Sequence, residues 1–356
     1  MPILPLYGHE TLRGRLRDAH ARGALPASLL LHGPRGIGKQ RLALWLAQTI
    51  LCTATAERPC GTCTACRYVL QLAHPDLRWV FPHENFKLDD PTAQETFDAF
   101  AELIAARAES GGLYAPPSTS HGIYVDDVKA LVHHAALTPA LGAHKVIVVG
   151  DVDAMRFSSE NAASNTFLKL LEEPPADTTI ILTTSEAGEL LPTIRSRVIA
   201  MRVAPMPEHD VRAWLADPAV AAALDAREVP KGDAARADLA AGTPGTLLGG
   251  ASREAALASA RRLLAAATAD RATRFRTAFS LGGSKARGAF TEALDALTLL
   301  LHQRARDSLA HDDPRAAAAA GHAIDAVQEA RAYAGGNVNP QLLGAVLLER
   351  LGRELA

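Results

Sequence analysis

An α/β domain built on a mostly parallel sheet, followed by an all-helical C-terminal region, is the fold class this sequence predicts, on three observations. The stretch Gly33-Pro34-Arg35-Gly36-Ile37-Gly38-Lys39-Gln40 follows the apolar run Ser28 to His32 and opens the apolar-periodic segment Arg41 to Leu51, the strand–loop–helix setting of a phosphate-binding loop. Lys145 to Gly150 is a continuous apolar run of the kind buried in parallel sheets, and Thr179 to Thr184 follows as a further strand of that kind. From Pro205 onward the sequence turns Ala-rich and helix-patterned, with almost no strand signal.

The loop departs from its usual form at one position. In a working phosphate loop the backbone N–H groups and the lysine hold phosphates, and a final Ser or Thr hydroxyl binds Mg²⁺. Here that position is Gln40, an amide that is longer and poorly placed for the metal. The acid that supports Mg²⁺ from the end of a later strand is also displaced, because Val149 is followed by Gly150 and then Asp151. Asp151 or Asp153 remains available to the metal. Two weakened metal positions argue against hydrolysis, since the ion supplies much of the charge stabilisation in phosphoryl transfer.

The chain has 356 residues, which suggests about two to three domains. A net charge of −2 gives no global basic field, so contact with nucleic acid has to be local or shared with partners. Met1 to Leu6 carries neither a basic run nor an adequate apolar stretch for a signal segment, and no run approaches the ~18 apolar residues of a membrane span. The expected location is the cytoplasm.

All four cysteines fall in one segment, Cys52, Cys60, Cys63 and Cys66, spaced C-x7-C-x2-C-x2-C. The two x2 spacings let successive thiolates turn onto one ion, so a tetrahedral structural Zn²⁺ site is expected, with reduced thiols or two disulfides as the alternative. Four protein ligands leave no open position for catalysis.

Between these landmarks the elements come in order. Leu77 to Phe81 reads as a strand after the cysteine module. Residues 82–120 read as an insertion, with an amphipathic helix around Gln94 to Glu109 and turns at Gly111-Gly112 and Pro116-Pro117. Asp126 or Asp127 is expected to cap a helix from Val128 to Ala136. Pro205-Met206-Pro207 marks a linker, and the Gly242 to Gly245 and Gly249-Gly250 breaks divide the helical remainder. The expected domains are 1–204, with the zinc module at 52–66, then a small helical unit at 205–250 and a helical C-terminal unit at 251–356.

A longer motif carries a resemblance. Asn161-Ala162-Ala163-Ser164-Asn165-Thr166-Phe167-Leu168-Lys169-Leu170-Leu171-Glu172-Glu173-Pro174-Pro175, followed by Thr193-Ile194-Arg195-Ser196-Arg197-Val198, resembles the bacterial sliding-clamp loader family of AAA+ proteins. The resemblance implies a P-loop AAA+ domain with an inserted four-cysteine zinc module, a small helical lid, and an all-α collar that oligomerises. It implies a place in the DNA polymerase III holoenzyme, a DNA-directed DNA polymerase. The implied partners are motor (tau/gamma) and delta subunits, with the sliding clamp and primer-template DNA met through the complex. The four-cysteine module is shared by the motor and delta-prime branches. Gln40, Gly150, and Thr246 at the place of a phosphate-sensing arginine resemble the delta-prime branch. The family's Ser-Arg-Cys motif appears as Ser196-Arg197-Val198, which implies that Arg197, supported by Ser196, reaches a neighbour's ATP γ-phosphate in trans. A hydrolysing motor subunit and a nucleotide sensor without turnover are the alternatives, and binding of ATP or ADP is left open.

Two further groups are expected to be unremarkable. His74, His83, His133, His134 and His144 lack a ligand pattern and read as surface or capping residues. Arg253, Arg261, Arg262, Arg271, Arg274 and Arg276 read as a solvated helix face, with nucleic-acid contact as the lesser alternative.

Overall fold

The computed structural model describes residues 2–115, 121–155, 162–188, 190–227, 229–281, 287–334 and 338–355. Asn161, Pro116 and Pro117 of the sequence reading lie outside them. The elements run α1 Glu10–Ala21, β1 Ser28–His32, α2 Lys39–Leu51, α3 Thr64–Leu70, β2 Leu77–Val80, α4 Ala93–Glu109, α5 Val125–Ala136, β3 Lys145–Val149, α6 Ala162–Glu172, β4 Thr178–Thr184, α7 Pro192–Arg195 and β5 Ile199–Arg202. They continue with α8 Glu208–Leu215, α9 Pro218–Asp225, α10 Asp233–Ala240, α11 Ala251–Ala267, α12 Arg271–Ser280, α13 Arg287–Ala310, α14 Pro314–Ala334 and α15 Pro340–Glu354. Among the described residues no helix is long and apolar enough to cross a membrane. The chain forms two compact units, Met1–Ala223 with Gly242–Leu248, and Leu224–Ala241 with Gly249–Ala356.

The first unit holds a five-stranded sheet in the order β2-β3-β4-β1-β5, with every pairing parallel. β3 and β4 are buried along their whole length, as strands covered on both faces must be, which is why their centres, Val146 to Val149 and Ile180 to Leu182, are apolar without a break. Helix α2 packs on β1, β3 and β4. The order places the loop after β1, the Gly150-Asp151 turn after β3 and Ser185 after β4 at the carboxyl ends of adjacent strands, where α/β sheets form their sites.

Two local readings need correction. Helix α5 starts at Val125, three residues before the expected Val128, so Asp127 stands in the first turn and is not the cap. Its carboxylate accepts the Tyr124 N–H at 2.7 Å, which satisfies an otherwise orphan donor from inside the helix. Three of the histidines are buried. His83 sits against Phe86, Phe100 and Tyr124 with Nε2 3.0 Å from Asp127. His74 accepts the Asp76 N–H inside a turn, and His134 packs against Phe97. β5 was not foreseen; it is a short edge strand paired only with β1, and Ile199, Ala200 and Arg202 are exposed.

The second unit is all-helical. α13 packs on both α11 and α14, and α15 lies against α11, α12 and α14. Close approach of α12 and α15 depends on glycine: a Cβ at Gly344 would lie 2.4 Å from Leu281, and one at Gly352 2.4 Å from the Arg274 guanidinium. Arg253 is buried and donates to the Leu239 carbonyl, so it does not belong to the solvated face expected for the arginines; Arg261, Arg262, Arg271 and Arg276 are exposed.

Candidate nucleotide loop, thiolate cluster and arginine turn

The loop from Gly33 to Lys39 turns through backbone angles that favour glycine at Gly33 (φ 151°), Gly36 (φ 75°) and Gly38 (φ 90°), and Gly38 is the N-cap of α2. The helix N-terminus therefore opens at the loop, as an anion site requires. The lysine is turned back on its own loop. Lys39 Nζ donates to the Gly33 and Pro34 carbonyls and to Ser185 Oγ, each at 2.9 Å. Burial lowers its pKa to about 8, with Asp151 and Asp153 opposing the shift. Arg35 lines a cavity in front of the loop, and Ile37 is fully buried with its carbonyl 2.8 Å from His9 Nε2.

Gln40 is engaged on three sides. Its Nε2 donates to Asp151 Oδ2 at 2.9 Å, while its Oε1 accepts from Trp79 Nε1 at 3.1 Å and from the Tyr114 hydroxyl at 3.4 Å. The amide thus stands beside the acid that follows β3. Burial raises the Asp151 carboxyl above its ordinary range, against the pull of Lys39. Asp153 is exposed and accepts from Thr184 Oγ1 at 2.5 Å. Arg107 closes the cluster from behind, its guanidinium 3.2 Å from the Phe81 ring centroid and 3.9 Å from that of Tyr114.

Thr246 is packed against the loop: a Cβ at Gly36 would lie 2.5 Å from its Cγ2, and the Gly245 N–H donates to the Gly36 carbonyl at 2.9 Å. The cavity in front of the loop, bordered by Arg35, Lys39, Gln40, Tyr114 and Asp151, measures about 150 Å³. Pockets that enclose a small-molecule ligand run to about 300–1,000 Å³.

The four cysteines converge. One ligand sulfur from each of Cys52, Cys60, Cys63 and Cys66 lies within 4.8 Å of the others. Cys52 to Cys63 and Cys60 to Cys66 are both 3.9 Å apart. Four thiolates at about 2.3 Å from one Zn²⁺ would stand about 3.8 Å from each other, so the donor set fits such an ion. The scaffold explains the convergence, because Cys52 follows the last residue of α2 and Cys63 is the N-cap of α3. Backbone N–H groups of Cys60, Cys63 and Cys66 point at the sulfurs of Cys52, Cys60 and Cys63 at 3.3–3.5 Å. Donation from the Cys63 N–H, with help from Thr62, lowers the Cys60 pKa.

Ser196 and Arg197 lie in the turn between α7 and β5, well apart in sequence from the loop and the cysteines. Arg197 Nη1 donates to the Thr193 carbonyl at 2.7 Å, and Nη2 to Glu172 at the end of α6. Ser196 Oγ donates to the same Thr193 carbonyl at 3.2 Å and receives Arg197 Nη1 at 3.3 Å. The three groups come from different stretches of the sequence. Sequence reasoning missed Trp79, Tyr114, Arg107 and Glu172, which come from a strand, a loop and two helices and have no spacing signal.

Comparison with known proteins adds the family context. The family described as DNA polymerase III, delta subunit, matches residues 8–207. A DNA polymerase III subunit delta' of Pseudomonas aeruginosa is 32% identical over 55% of this chain and 46% of its own length. The Escherichia coli subunit of that name is 28% identical over 53% of this chain and 45% of its own. A DNA polymerase III subunit gamma/tau of Mycobacterium bovis is 30% identical over 59% of this chain and 30% of its own. The matched region thus spans less than half the length of each of these relatives.

Proposed function

The chain belongs to the DNA polymerase III delta-subunit family, and on that premise we propose that it is a delta-prime-type clamp-loader subunit, silent at its own nucleotide loop, that serves a neighbour's ATP site through Arg197. The observation that carries this reading is Gln40: its amide is bonded to Asp151 and Trp79 where a metal-bound hydroxyl would stand. Without that hydroxyl, and with the strand-end acid engaged, the loop lacks its supports for Mg²⁺. Thr246 packed on Gly36 and the small cavity point the same way.

In this reading Cys52, Cys60, Cys63 and Cys66 hold a structural Zn²⁺ that ties the end of α2 to the start of α3. Residues 205–250 act as a lid and 251–356 as a collar that joins motor (tau/gamma) and delta subunits. Arg197, with Ser196 bracing its turn, would meet the γ-phosphate of the adjoining motor subunit and offset charge on the transferring phosphoryl group, while the assembly loads the sliding clamp onto primer-template DNA. A guanidinium suits that task because it is always charged and offers a planar fork of donors.

A motor-subunit reading has one observation in its favour, the 30% identity to a gamma/tau subunit. Its metal would fall to Asp151, already bonded to Gln40, or to Asp153. Reconstitution with motor and delta subunits separates the two. The delta-prime reading expects no ATP turnover by this chain alone, and clamp loading that depends on its presence. Loading unaffected by its omission sinks it.

A further inference from the structure

Arg197 is not held by its own turn alone. Thr193 and Ser196, which receive Nη1, travel with the arginine; Glu172, which receives Nη2, belongs to a different helix 25 residues away in sequence. The Nε–H is enclosed and has no acceptor within the described structure. A guanidinium offers an oxyanion either its Nε edge or its paired Nη edge. Here Nε has no partner, Nη1 is taken by Thr193 and Ser196, and Nη2 carries the Glu172 carboxylate.

Carboxylate and phosphate make the same charge-assisted contact with this fork. Glu172 thus occupies the place of the anion that an in-trans arginine is there to meet. Resting on the reading of Arg197 given above, we infer that Glu172 is a resident counter-anion, exchanged for a γ-phosphate oxygen of the neighbour's nucleotide when the subunits close, and that it withholds Arg197 between rounds.

The exposure of the pair suits exchange and not a permanent lock. The Glu172 side chain is 44% exposed and that of Arg197 26%. An ion pair in such a setting shifts an equilibrium by a factor of about five or less. A triphosphate, with several charges against one, displaces it. The return is also accounted for: Glu172 ends α6, where the negative end of the helix dipole disfavours a carboxylate. Once the phosphate leaves, the arginine relieves that charge again.

The test uses the complex reconstituted from full-length chains, with wild type, Glu172→Gln and Arg197→Ala compared. Gln keeps the size of the side chain and removes its charge, and thermal unfolding of the isolated variant checks its fold. The expected result is an ATPase rate, without clamp or DNA, raised about two- to fivefold by Glu172→Gln and lowered by Arg197→Ala. The Glu172→Gln excess should shrink as salt rises from about 0.01 M to about 0.15 M, because screening loosens the wild-type pair over that range. If Arg197→Ala keeps the wild-type rate, the in-trans reading and this inference fall together. If Arg197→Ala slows the complex and Glu172→Gln slows it too, or leaves it unchanged, the exchange alone is wrong.

Discussion

Gln40 and Gly150 are fitted to one another: a Cβ at position 150 would lie 2.5 Å from both Cδ and Oε1 of the Gln40 side chain. The two departures from a metal-binding loop are therefore one structural change, since the amide fills the space that a larger residue at 150 would need. The Gln40 amide is the end of a flexible side chain, but its bonds to Asp151 and Trp79 pin it. Gly150→Ala is expected to cost about 1–3 kcal/mol, the price of giving up those bonds in a crowded site. Gln40→Ser should relieve the crowding. In a double-mutant cycle followed by chemical unfolding, the pair should couple by about 1 kcal/mol or more. Additive effects would show that the two positions are independent.

Metal removal addresses the thiolate cluster. Protein purified without added metal should carry Zn²⁺ at Cys52, Cys60, Cys63 and Cys66, and a strong chelator should expose the segment between α2 and α3 to protease before the sheet opens. Cys63→Ser should do the same through the lost thiolate alone, because a serine keeps the N-cap of α3 that Cys63 fills by accepting the Cys66 N–H at 3.4 Å. A metal-free protein with an unchanged protease pattern would remove zinc from the proposal.

How much of this was legible depended on where the partners lie in the chain. β1, β3 and β4 announced themselves because strands buried on both faces carry an apolar centre, whereas β5 lies at the edge with Ile199 exposed and shows no such run. The phosphate loop and the cysteines were readable because each group lies within one short segment. The partners of Gln40 and Arg197 were not, since Trp79, Tyr114, Asp151 and Glu172 are assembled only by the fold. Buried His83 was misread for the same reason: its acceptor, Asp127, and two of its aromatic neighbours, Phe100 and Tyr124, lie far along the chain.

Asp76 provides a pH-dependent test of the scaffold. Its carboxylate is buried and accepts N–H bonds from Ala140, Leu141 and Gly142, tying the start of β2 to the loop before β3. Burial alone would raise its pKa, but those three donors bring it below the ordinary value. A folded-state pKa below the unfolded one contributes stability at neutral pH that is lost as pH falls through the folded value. Asp76→Asn is expected to cost about 1–3 kcal/mol at pH 7, as hydrogen bonds to a charged acceptor are lost. The gap to wild type should narrow below about pH 4, near the unfolded-state pKa. A gap constant from pH 7 to the acid limit would show that the charge of Asp76 contributes nothing.

The remaining prediction concerns turnover by the chain alone. Lys39 Nζ is satisfied by two carbonyls of its own loop and by Ser185, so a phosphate would have to displace internal bonds to reach it. Gln40 offers no hydroxyl for Mg²⁺, and Asp151 is bonded to the Gln40 amide. Because the metal supplies much of the charge stabilisation in phosphoryl transfer, losing both supports should bring Mg²⁺-dependent ATP hydrolysis to background. Lys39→Ala should then leave the isolated chain's rate where it was, while lowering its stability, because the Gly33 and Pro34 carbonyls lose their donor. The measurement is phosphate release by the purified chain with and without Mg²⁺, together with unfolding of the variant. Turnover that requires Mg²⁺ and vanishes in Lys39→Ala would mean that the loop works despite Gln40, and the motor-subunit reading would replace the one proposed.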